Sequence, residues 1–103
     1  MDRIATILEM LSQHPKDSFL RHALALEYTK KGLRVEAKTL FEEVLSQDPD
    51  YVGSYYHLAK LLETLSQTEK AIGCYTAGIA AARRLGDQHA LMELEAALQE
   101  LTD

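Results

Sequence analysis

The stretch EAKTLFEEVLSQDPD, Glu36 to Asp50, is echoed 34 residues later by KAIGCYTAGIAAARR, Lys70 to Arg84. Ala37 aligns with Ala71, Phe41 with Tyr75 and Leu45 with Ile79. A small residue, an aromatic and a branched apolar residue thus recur at helical spacing. The first copy stops at Asp48-Pro49, whereas the second runs through the equivalent point with Ala81, Ala82 and Arg83. Working outward, the same spacing pairs Leu24 with Leu58 and Ala25 with Ala59. On the other side it pairs Ile7 with Phe41, Leu11 with Leu45 and Pro15 with Pro49. Two amphipathic helices can match once by chance. A whole set of matches at one spacing marks an internal repeat of a helical unit.

Composition agrees. The chain has 103 residues, the size of one domain, and is 47% hydrophobic, enough for a core. Leu and Ala dominate, and only five glycines and two prolines occur, which favours helix nearly throughout. A formal charge of −5 argues against nonspecific nucleic-acid binding and leaves a basic partner open. The single Cys74 rules out an intrachain disulfide framework, and a reducing, cytoplasmic setting is expected. The opening MDRIATILEML lacks a basic start and a long apolar run, so no signal peptide is read there. No stretch approaches the roughly 20 apolar residues that would span a membrane.

Periodicity predicts six helices. The first covers about Asp2 to Ser12 and ends at His14-Pro15; the second covers about Asp17 to Lys31, with Gly32 as its stop. The third covers Arg34 to Gln47. Asp48-Pro49 is expected to cap and open the fourth, which starts at Pro49 or Tyr51 and reaches Leu65. Ser66-Gln67-Thr68-Glu69 fits a capping box for the fifth. The fifth runs to about Arg84, roughly a turn longer than the third because no proline ends it. Gly86 terminates it and Asp87 caps the sixth, which carries Leu91, Leu94, Leu98 and Leu101. Gly73 and Gly78 inside a helix cost about 1 kcal/mol each against Ala, and close backbone packing is the expected offset. The short connections imply antiparallel neighbours.

This pattern resembles the tetratricopeptide repeat family, built from 34-residue helix-turn-helix units. The pair Leu24-Ala25 and its copy Leu58-Ala59, Tyr28, the small Ala37 and Ala71, and the aromatic Phe41 and Tyr75 carry the resemblance. The family's initial aromatic is Tyr55 in the second unit, and Arg21 replaces it in the first. On this reading the chain is one domain: a half-repeat over 1–17, repeats over 18–51 and 52–85, and a capping helix over 86–103. The resemblance implies an all-α, right-handed solenoid whose units bury one another's apolar faces. It also implies a concave face, lined by the first helix of each unit, that binds a protein or peptide. By register that face holds Phe19, His22, Ala23, Leu26, Thr29 and Lys30, then Gly53, Tyr56, His57, Lys60, Glu63 and Thr64. Tyr56, His57 and Lys60 are its sharpest subset. Family members that clamp a terminal carboxylate use asparagine and lysine, and this chain contains no asparagine.

No chemistry of an enzyme is evident. His14, His22, His57 and His89 form no HExxH or Cys/His cluster, so no metal or other cofactor is expected. Cys74 has no nearby partner in sequence. Glu42-Glu43, and Glu93 with Glu95, read as solvated helix faces rather than catalytic carboxylates, and KKGLR is no phosphate loop. The expected activity is noncatalytic binding of a protein or peptide, without nucleic acid or membrane. The alternative is self-association into a homo-oligomer through the open side of the first helix.

Overall fold

The computed structural model describes residues 2–103, and Met1, the first residue of the expected half-repeat, lies outside them. The described residues form six helices and no strand: α1 Arg3–Gln13, α2 Ser18–Lys30, α3 Arg34–Gln47, α4 Gly53–Thr64, α5 Thr68–Leu85 and α6 Gln88–Thr102. Each packs antiparallel on the next in sequence, and α4 also touches α6. The stack is elongated, 42 × 29 × 21 Å.

Three helices start as their sequence asks. Asp2, Asp17 and Asp87 each accept a backbone amide of the first turn, from Ile4 at 3.1 Å, Leu20 at 3.0 Å and Ala90 at 3.0 Å. Such a side chain satisfies an amide that the helix itself leaves open. Two other starts differ from expectation. Asp48 is the C-cap of α3, and α4 begins only at Gly53, so Pro49 sits in a turn and not in the first helical turn. That turn is tied down differently: the Tyr55 hydroxyl donates to the Pro49 carbonyl at 2.6 Å.

The capping box at Ser66 does not form. Ser66 has φ 60° and closes α4, while Gln67 is the N-cap of α5 without a side-chain cap bond. The reason lies in the repeat. Gly32 N–H donates to the Thr29 carbonyl at 3.0 Å and Leu33 N–H to Tyr28 at 2.9 Å. Thirty-four residues on, Ser66 N–H donates to Glu63 at 3.0 Å and Gln67 N–H to Leu62 at 2.8 Å. Gly86 and Asp87 close α5 with the same pair of bonds, to Arg83 at 3.2 Å and Ala82 at 2.9 Å. Each is a left-handed C-terminal closure, and the second copy places a serine where the others have glycine.

The core divides at the repeat seam. Phe41 is fully buried with Ala25, Ala37, Leu58, Leu61, Leu62 and Ala71. Tyr75, equally buried, lies with Tyr55, Ala59, Ile79, Ala82 and Leu94. The two aromatics therefore fill successive seams, each closed by the small residues that let helices approach. Burying such a side chain is worth roughly 1.5–3 kcal/mol, which no single unit could obtain alone. At 18 residues against 14, α5 outruns α3 by about a turn, as the missing proline predicts.

The two glycines of α5 part company. A Cβ on Gly78 would lie 2.6 Å from the Tyr55 Cβ and 3.1 Å from the Leu94 Cδ1, so close packing does explain it. A Cβ on Gly73 would meet nothing within 4 Å, so packing is not its reason.

Arg21, the departure in the first unit, takes over the work of its aromatic counterpart. Its Nε donates to the Pro15 carbonyl at 3.0 Å, and its Nη1 to the Gln47 Oε1 at 3.0 Å. Tyr55 makes the matching bond to Pro49, each donor and each acceptor standing 34 residues apart.

Candidate functional site

Side chains of α2, α4 and the turn before α4 meet in a continuous row of rings. Tyr51 lies 5.2 Å from His22, centroid to centroid, His22 lies 5.5 Å from His57, and His57 lies 5.7 Å from Tyr56. Behind them the buried Phe41 touches both imidazoles, edge-on to His22 at 5.5 Å and stacked with His57 at 6.0 Å. Gly53 opens α4 next to this row, and a Cβ there would make only an ordinary contact, 3.8 Å from His22 Cε1.

His22 is fixed by Ser54, the sole polar residue buried outright among the described residues. Its Nδ1 and the Ser54 hydroxyl share a hydrogen bond of 2.8 Å. Burial, with a smaller push from the neighbouring His57, brings the His22 imidazole down to about 4. Burial also depresses His57, although the carboxylate of Glu93 on α6 pulls the other way. Both rings are therefore neutral at neutral pH. They offer π faces and one N–H each, not positive charge.

One helical turn along α4, the Lys60 ammonium stands 5.6 Å from the centre of the Tyr56 ring and 3.8 Å from the Glu63 carboxylate. Glu63 also accepts from the hydroxyl of Tyr75, reaching across from α5. Burial and that bond to Glu63 raise the Tyr75 phenol far above the usual range. Glu63 is thus an anchor between the surface and the second seam.

Of the residues placed on this face by register, His22, Tyr56, His57, Lys60 and Glu63 come together. Phe19 stands 65% exposed at the start of α2. Leu26 packs half-buried against the first seam. Lys30 is held at 3.1 Å by Glu27, which also takes Arg3 of α1 at 3.0 Å. The Thr64 hydroxyl donates to the Leu61 carbonyl of its own helix at 2.7 Å, as that of Thr29 does to Ala25 at 2.8 Å.

Three members of the site escape a reading by register. Ser54 aligns with the buried Leu20, and that exchange of apolar for polar was the available signal: a buried hydroxyl needs a partner. Tyr51 aligns with the capping residue Asp17 and sits outside any helix. Glu93 is hidden because α6 runs in a shifted register: Leu94 and Ala97 are buried 36 residues after Leu58 and Leu61. The longer α5 supplies the shift, and it gives Glu93, just before Leu94, the position that His57 holds before Leu58, so that its charge acts on His57.

Among the described residues no group of three His, Cys, Asp or Glu is arranged to hold a metal ion, and no helix is long and apolar enough to cross a membrane. Cys74 is half-buried, with its thiol pushed up to about 12 by burial.

The chain belongs to the tetratricopeptide repeat family. Family models described as tetratricopeptide repeat match residues 20–51 and 40–73. A tetratricopeptide repeat domain protein from Salinibacter ruber, solved in solution, is 48% identical; the match covers 84% of this chain and 88% of that one, with a TM-score of 0.81. A Bordetella parapertussis protein is 26% identical over 99% of this chain and 89% of its own, with a TM-score of 0.86. The TPR2B domain of yeast Sti1, solved as a complex with pHsp70, shares the fold at a TM-score of 0.89. It is only 16% identical, over 96% of this chain and 79% of that one. No curated protein matches by sequence. Tetratricopeptide repeat domains are protein–protein interaction modules.

Proposed function

We propose that the face shared by α2, α4 and α6 is a noncatalytic binding groove for a protein or peptide segment. The row Tyr51, His22, His57 and Tyr56 carries this reading. It gathers four half-buried rings on one side of the stack, although a repeat core needs only the Phe41 and Tyr75 seams. Rigid aromatic side chains give contact area at low cost in side-chain entropy. Exposed Phe19 on α2 and Met92 on α6, 65% and 68% accessible, add apolar area on the same helices. The complex formed by the Sti1 domain supports a partner-binding use of this fold. It does not carry over the partner, and with no asparagine in the chain an asparagine-and-lysine carboxylate clamp is not the mode. On the same reading 18–51 and 52–85 act as the two repeats, 1–17 as a half-repeat and 86–103 as the cap, in a reducing, cytoplasmic setting suited to the lone Cys74.

Affinity capture from the native host with wild-type chain and with Tyr56→Ala plus Lys60→Ala tests the reading. A partner lost from the variant while circular dichroism shows unchanged helicity supports the groove. Unchanged capture places the site elsewhere.

A second reading rests on α1. Among the described residues it packs chiefly on α2, and its Leu8 and Met10 stay 46% and 45% exposed. Self-association through that side would give a dimer. Light scattering across a hundredfold range of concentration tests it, and a constant monomer mass rules it out.

A further inference from the structure

Taking that groove as the binding site, we infer that its partner presents a basic side chain, arginine above lysine, seated on the rings of Tyr51, His22 and His57 and paired with Glu93. The sign of the charge around the rings is the first reason. The Tyr51 N–H donates to the Asp48 carbonyl at 3.0 Å, and the Asp17 and Asp48 carboxylates add to burial in raising its phenol. Glu93 precedes the buried Leu94 on α6 as His57 precedes Leu58 on α4, and its charge acts on His57. The imidazoles contribute no opposing charge at neutral pH, because burial keeps both neutral.

The second reason is that the cation nearest the rings is already matched. Lys60 pairs with Glu63 at 3.8 Å, and Lys30 stands a helix away at the end of α2, sharing Glu27 with Arg3. The third is α6, which carries Glu93, Glu95 and Glu100 and no lysine or arginine. Glu95 pairs with Arg83 at 3.1 Å, while Glu93 and Glu100 make no ion pair among the described residues. An acidic segment would meet uncompensated carboxylates on α6. A basic one gains both charge and ring contacts.

The protein shows this chemistry once within itself. Lys60 leans over Tyr56 with Glu63 beside it, a cation between a ring face and a carboxylate. An incoming guanidinium would repeat the arrangement with His57 and Glu93. Its flat, weakly hydrated plane stacks on rings better than an ammonium does, hence the preference for arginine.

The test exposes the full chain to a bead-borne library of random decapeptides, acetylated and amidated so that terminal charges do not compete. The recovered set should be enriched in arginine over the input. A peptide made from the top sequence should bind about fivefold more weakly to Glu93→Gln, and about fivefold more weakly when its arginine becomes glutamine. Its affinity should also fall as salt rises. Enrichment in Asp or Glu, or full affinity for Glu93→Gln, overturns the basic partner and leaves the groove standing. Recovery of no peptide, or of peptides that bind Tyr56→Ala plus Lys60→Ala equally well, overturns the groove and this inference with it.

Discussion

Gly78 of α5 lies flat against Tyr55 of α4, so close that a Cβ on the glycine would stand 2.6 Å from the Tyr55 Cβ. The second seam is built around that absence. Five residues earlier on the same helix, Gly73 faces open space.

Gly78→Ala is therefore expected to destabilise the fold by roughly 1–3 kcal/mol, overpacking outweighing the gain in helix propensity. Gly73→Ala should stabilise it by roughly 0.5–1 kcal/mol, since only propensity and chain entropy change. Urea unfolding of the two variants should move the midpoint in opposite directions. Equal shifts would show that the seam relaxes freely.

Ser66 holds the left-handed conformation that its counterpart Gly32 adopts without strain. Ser66→Gly should raise stability by a few tenths to about 1 kcal/mol, and Ser66→Val should lower it. A thermal melt checks both. A fall in Tm for the glycine variant would mean that the serine hydroxyl holds the turn.

The Tyr75 hydroxyl donates to Glu63 from inside the second seam. Tyr75→Phe should cost about 1 kcal/mol and free the Glu63 carboxylate, so that Lys60 of the same helix is left as its partner. In the wild type, spectrophotometric titration should show a tyrosine that stays protonated well past the ordinary phenol range. The variant should lose that late-titrating group.

His22 sets an acid limit. Its folded pKa, about 4, lies below the unfolded 6.5, so between those values the unfolded chain binds the proton that the folded chain refuses. Stability should fall as pH drops from about 6.5 towards 4, with His57 adding in the same direction. The Tm of His22→Gln should change less over that window than the wild-type Tm. Parallel Tm profiles would show that His22 is as readily protonated folded as unfolded.

Sequence periodicity carried the fold because the 34-residue unit buries the same small and aromatic positions each time. Ala37 and Ala71, and Phe41 and Tyr75, read correctly for that reason. The capping box at Ser66 misleads because a local motif carries no register, and the alignment with Gly32 points to a helix end. At Arg21 the pattern looked broken, yet a long donor reaches the Pro15 carbonyl as well as a phenol reaches Pro49.

The sequence by itself determined the helices, their order and the seams, since helical period and small-residue spacing act locally and between neighbours. Only the tertiary structure decided the site. Tyr51, Ser54 and Glu93 join His22 and His57 through a turn, a buried exchange of Leu for Ser, and a shifted last helix. None of these three repeats, and contacts that do not repeat leave no period to read.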